Sequence, residues 1–161
     1  MAFLLLTENR MNNSSCSACG SLLSAIIQSD TISQEIGFNP ATVLLPSDSG
    51  PQLAYRTRHN AVLSNHHRAK DALKDYVDFF TAENAEKAYI VVKKRNVAAV
   101  MFCPSCRFLP SGKKAIFADK MAEGKIPAWL KPVTGYPGEK EGLLFFKIRP
   151  VVSSSSLEEQ L

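Results

Sequence analysis

Four cysteines fall in two short pairs, Cys16-Ser17-Ala18-Cys19-Gly20 and Cys103-Pro104-Ser105-Cys106-Arg107, and the chain holds no others. A CxxC turn sets two sulfurs on one side of the backbone, where the N–H groups of the turn offset thiolate charge. Two such turns supply the four soft ligands of a tetrahedral site. Cys16, Cys19, Cys103 and Cys106 are therefore the expected ligands of a structural Zn2+. Gly20 suits the positive φ at which a knuckle closes, and Pro104 stiffens the second turn. With sulfur in all four positions no place is left for a metal-bound water, so such a zinc would hold structure rather than catalyse.

In these two five-residue segments the chain resembles zinc-ribbon proteins, which implies a metal clip with most of a domain inserted between its knuckles. The second pair carries a rival chemistry. Cys103 follows the apolar run Val97–Phe102 and precedes a predicted helix. That placement is similar to thioredoxin-like proteins, in which a strand runs into CxxC at a helix N-terminus that lowers the thiol pKa. It implies a thiol-disulfide oxidoreductase using Cys103 and Cys106. Too few residues follow Cys106 to build the rest of that fold.

His59, His66 and His67 precede or open the predicted long helix, and each is a candidate ligand, general base or simple polar helix-start residue. None has an acidic partner at a spacing that would make a triad. Asp71, Asp75 and Asp78 interleave with Arg68, Lys70 and Lys74 and read as a solvated helix face. Basic residues cluster at Arg56/Arg58, Lys93-Lys94-Arg95, Arg107 and Lys113/Lys114. Lys93, Lys94 and Arg95 stand at the tip of a predicted hairpin that leads into the second knuckle. With Arg107 they make a candidate phosphate-contacting surface for nucleic acid; the other reading is a charged turn that keeps an edge soluble. GxxxxGK[ST], GxGxxG, HExxH and GxSxG do not occur, so nucleotide hydrolysis and those catalytic devices are not supported, and no small-molecule cofactor is evident.

The elements that must position these groups follow from periodicity and turn chemistry. Leu22, Leu23, Ile26 and Ile27 have helical spacing within 21–36, stopped by Gly37. Ala41–Leu45 and Gln52–Thr57 read as strands around the turn 46–51. Residues 64–80 are the clearest helix, with Ala69, Ala72, Leu73, Tyr76, Val77 and Phe80 on one face. Ala88–Lys94 and Val97–Phe102 read as a hairpin turning at Arg95-Asn96. A helix over 111–124 and a strand over 143–148 complete the set.

The chain has 161 residues and a net charge of +4, enough length to bury a real core and too little charge to demand a nucleic-acid partner. No apolar stretch reaches membrane-span length, and Ala2–Leu6 is too short for a signal h-region. The expected protein is cytoplasmic, a setting that favours metal over disulfide. The expected fold is a single α+β domain over 1–152 with a flexible tail at 153–161. It has a mostly antiparallel sheet and about three helices, clipped by a four-cysteine zinc-ribbon-like site. The expected function is a non-enzymatic zinc-binding adaptor contacting nucleic acid or a protein complex, with no membrane. The alternatives are the thiol oxidoreductase and an enzyme whose site does not show in sequence.

Overall fold

The computed structural model describes residues 18–63, 70–106, 109 and 112–149. The predicted tail 153–161 lies outside them, as do Cys16, His66, His67 and Arg107. The first described residues, 18–28, are helical and form α1. There follow α2 (Thr31–Ile36), β1 (Thr42–Leu44), a 3-10 turn (Ser47–Ser49), α3 (Gly50–Arg56), β2 (Asn60–Ala61), α4 (Lys70–Thr81) and α5 (Ala85–Arg95). The rest is β3 (Val97–Phe102), α6 (Ile116–Ala122), β4 (Leu130–Pro132) and β5 (Leu144–Ile148).

The five strands form one sheet in the order β2-β1-β3-β5-β4. β1 is parallel to β2 and to β3, while β5 is antiparallel to β3 and to β4. The sheet is thus mixed rather than mostly antiparallel, and its helices number six rather than three among the described residues. The mixed character has a simple cause. Parallel neighbours need a long crossover, and α3 and the α4–α5 pair are those crossovers.

Apolar residues alternate through the sheet into two cores. Val43, Leu45, Ala99, Met101 and Phe145 face one side, with Leu23, Ile26 and Ile27 of α1, Ile32 of α2 and Leu53 of α3. Leu44, Val100, Phe102 and Phe146 face the other, with Tyr76, Phe79 and Phe80 of α4, Val91 and Val92 of α5 and Phe117 of α6. In that second core, edge-to-face contacts run from Tyr76 to Phe80 (4.9 Å), Phe80 to Phe79 (5.2 Å) and Phe79 to Phe117 (5.2 Å).

The predicted hairpin is replaced by helix and strand. Ala88–Lys94 has the β-branched content of a strand, but its buried members, Ala88, Val91 and Val92, stand at helical spacing. The Asn84 side chain caps the start by accepting the Lys87 N–H at 2.9 Å, and Asn96 ends the helix in the left-handed conformation at φ 51°. Lys93, Lys94 and Arg95 occupy the last turn, where cations offset the exposed carbonyls of the helix end. Gln52–Thr57, expected as a strand, lies largely in α3, where Pro51 sits in the first turn that tolerates it.

The metal site is overturned as well. Cys19 and Cys103 are joined in a disulfide across 84 residues of sequence. Cys106 is also disulfide-bonded. A disulfide sulfur carries no thiolate charge to give a cation, and among the described residues no group of three or more His, Cys, Asp or Glu could hold a metal ion. The Cys103/Cys106 redox pair fails on the same bond, because the partner of Cys103 is Cys19 on α1.

Asp75 is buried on α4 and receives Lys94 Nζ at 3.0 Å and Arg95 Nε at 2.5 Å from the end of α5. Burial alone would push its carboxyl up. The hydrogen bonds and charges of Lys94 and Arg95 outweigh that and hold it below 3.8. A carboxyl depressed in the folded state contributes stability at neutral pH that is lost as pH falls through its native value. Replacing Asp75 with Asn should cost about 2–3 kcal/mol at pH 7. It should also flatten the acid limb of stability against pH, measured by denaturant unfolding from neutral pH downward; an unchanged acid limb would separate Asp75 from acid stability.

The disulfides yield a second prediction. Full reduction should lower stability by about 4 kcal/mol, because a long loop is released in the unfolded chain. The Cys19→Ala/Cys103→Ala double variant should lose less, about 2 kcal/mol, since Cys106 keeps its own bond. Chelator should change neither. Unfolding curves insensitive to reductant but shifted by chelator would restore the zinc reading.

Candidate functional site

In an open sheet with parallel strands, ligands favour the crevice outside the carboxyl ends, where successive crossovers leave for opposite faces. Here β1 leads through the 3-10 turn to α3, which packs in the core of α1 and α2. β2 and β3 lead toward α4 and α6, which pack in the opposite core. The chain therefore parts at the carboxyl ends of β1, β2 and β3.

Two groups of described residues collect at this edge. The first is Ser47-Asp48-Ser49, directly after β1, in which Asp48 is exposed while Ser49 is buried. The second is the turn after β3, closed by the Cys106 N–H donating to the Cys103 carbonyl at 3.0 Å. His66-His67-Arg68 lies outside the described residues.

Beside the disulfide is an open cleft of about 340 Å³, lined by Ala18, Cys19, Leu22, Pro104, Ser105 and Glu141. Its outer wall is the loop from β4 to β5. The Tyr136 hydroxyl donates to the Leu143 carbonyl at 2.6 Å, and the Glu139 carboxylate accepts the Gly135 N–H at 2.5 Å. Burial, reinforced by the Glu139 charge, pushes the Tyr136 hydroxyl up to about 12, so it stays a neutral donor across the physiological range. Gly138 sits at φ +94°, and a Cβ there would lie 3.1 Å from Leu143 Cδ2 and 3.4 Å from Leu22 Cβ. Only glycine lets this loop close on α1.

The other singled-out residues lie elsewhere. Lys94 and Arg95 close on Asp75, and Lys93 Nζ sits 5.2 Å from the Tyr89 ring centre. The helix end absorbs two of the three charges that motivated nucleic-acid contact, and there is no hairpin tip. Arg107 lies outside the described residues. His59 precedes β2 at the opposite edge of the sheet, buried, with Nε2 3.0 Å from Ser33 Oγ. Burial lowers its pKa from 6.5. Asp48 does not stand out in the sequence. Its signal is an Asp-Ser-Gly-Pro run between a strand and a helix, which reads as a bare turn until the sheet order is known.

No protein-family model matches the chain, and no curated protein matches it in sequence. Among the similar solved structures are two of the C-terminal globular domain of oligosaccharyltransferase from Archaeoglobus fulgidus. One is 17% identical with a TM-score of 0.50, covering 68% of this chain and 81% of that one. The other is 18% identical with a TM-score of 0.47, covering 76% of this chain and 91% of that one. At such identity the first likeness establishes the fold. What overturns the zinc adaptor is the Cys19–Cys103 disulfide, together with the lack of a metal-holding group among the described residues.

Proposed function

We propose that this chain is a globular domain serving oligosaccharide transfer in an oxidising compartment, and that the carboxyl edge of β1, β2 and β3 faces the reaction. The observation that carries the reading is the shared fold with an oligosaccharyltransferase domain. The disulfide supports the compartment. A chain of 161 residues can build its core without a covalent staple, and disulfides persist where thiols are not kept reduced. The proposed setting differs from the cytoplasmic one expected from the sequence.

Within this reading Asp48 is the group to test. It is an exposed carboxylate at the parting of the crossovers, and a carboxylate accepts hydrogen bonds from sugar hydroxyls or from an acceptor amide. A protein partner on the same edge belongs to the proposal, since the exposed turn would then be covered in the working assembly. In cells producing the full-length protein, Asp48→Asn should cut the yield of transferred glycan about tenfold or more, as expected for loss of one charged hydrogen bond. The readout is mass spectrometry of glycoconjugates, with unfolding curves confirming an unchanged fold. Normal glycan yield both from Asp48→Asn and from cells lacking the protein would sink the reading.

A further inference from the structure

At the opposite edge of the sheet, between α2 and α3, lies a second cleft of about 290 Å³. Phe38 and Tyr55 line it, and both rings are largely exposed, at 64% and 83%. A lone exposed ring is ordinary, but two lining one cleft make an apolar patch of the kind that marks a binding site. Asp30, Ser33, Arg56 and Arg58 supply polar groups around the rings. Among the described residues Asp30, Arg56 and Arg58 make no ion pair with a side chain of opposite charge, although the Arg56 guanidinium lies 5.6 Å from the centre of the Tyr55 ring. Their hydrogen-bonding capacity is open to a ligand.

Ser33 is set from behind. Its Oγ is 3.0 Å from His59 Nε2, and His59 is 1% exposed. The other ring nitrogen, Nδ1, is buried with no hydrogen-bond partner among the described residues. A buried N–H without an acceptor is rarer and costlier than an unfilled lone pair. The proton of the neutral ring therefore belongs on Nε2, donating to Ser33 Oγ, which leaves the Ser33 O–H free to donate into the cleft. Thr57 fixes the corner: its hydroxyl donates to the Leu53 carbonyl at 2.7 Å and accepts the His59 N–H at 3.0 Å.

We infer that this cleft binds a single neutral sugar residue, stacked on Tyr55 and Phe38 and hydrogen-bonded by Asp30, Ser33, Arg56 and Arg58. The ring faces suit the apolar C–H faces of a sugar, as the aromatic walls of small-ligand sites generally do. The lining carries both signs, Asp30 with Arg56 and Arg58, so sugar hydroxyls can donate to the carboxylate and accept from the guanidiniums. The volume is at the small end for a ligand site, which fits one sugar residue rather than a chain. The choice of ligand rests on the reading of oligosaccharide transfer; the cleft geometry does not.

The test uses the full chain labelled with 15N, titrated with the methyl glycosides of glucose, mannose, galactose and N-acetylglucosamine, and separately with inorganic phosphate. At least one glycoside should shift the amide signals of Ser33, Tyr55 and Arg58, with a Kd of about 1–10 mM as befits a small, weakly held ligand. Tyr55→Ala and Phe38→Ala should each weaken that binding about tenfold without lowering the melting temperature, because both rings are exposed. Asp48→Asn should leave it unchanged. No shift at the cleft with any glycoside overturns the inference, as does a response to phosphate alone, which would make the cleft an anion site. If the sugars fail to bind while Asp48→Asn still cuts glycan yield, only the subsite falls. If sugars bind and the Asp48 test fails, only the transfer reading falls.

Discussion

Everything in this fold is arranged around β3, a six-residue strand with hydrogen-bonded neighbours on both sides and packed helices on both faces. The enclosure is nearly complete: Val97, Ala99, Val100, Met101 and Phe102 are all 4% exposed or less. Each large side chain so placed contributes about 1.5–3 kcal/mol relative to exposure. Because the strand is apolar on both faces, a helix layer is required on each side, and a strand buried this way cannot slip in register without moving Phe102 and Met101 into opposite cores. The parallel pairing with β1 then dictates a crossover, which the α4–α5 pair supplies.

Asp75 is the polar counterpart of that apolar constraint. It sits inside the helical layer on α4, and the charges that neutralise it come from the last turn of α5, immediately before β3. The three-residue basic run is thus an α5 terminus that favours cations and a clamp that fixes where β3 begins. Arg95 is less exposed than Lys94, 29% against 56%, so the guanidinium is the better-ordered partner and makes the shorter bond.

Those two facts explain what is legible in the chain. β3 is readable because a continuous apolar run bounded by polar residues has few other fates, and α4 because Ala72, Tyr76, Val77 and Phe80 repeat at helical spacing. α5 misleads because Tyr89-Ile90-Val91-Val92 has strong strand propensity. The deciding signals are at its ends, Asn84 as cap and Asn96 as stop, and tertiary burial of Val91 and Val92 overrides propensity. The cysteines mislead for a different reason. CxxC spacing serves thiolate ligands and disulfides alike, and what separates them is which sulfurs meet in space and in what redox setting. The sequence can mark Cys19 and Cys103 as meeting, but not say that they meet as a bond. Asp48 and the cleft around Tyr55 are invisible there because they exist only through sheet order and through packing between α2 and α3.

The two candidate sites are not independent of one another. Cys19, in the first described turn of α1, bears the disulfide at the carboxyl edge, and residues 18–28 span about 15 Å. Just past its end, Ser29 and Asp30 line the cleft at the other edge. Midway, Gln52 of α3 donates to Ser24 at 2.8 Å, tying α1 to the helix that carries Tyr55. Leu23, Ile26 and Ile27 hold its inner face to the sheet with no room to slide. Closing the Cys19–Cys103 bond therefore pins one end of a rigid rod whose other end forms a cleft wall. The disulfide thus fixes α1 to the end of β3, and the Gln52–Ser24 bond fixes it to the helix that bears Tyr55.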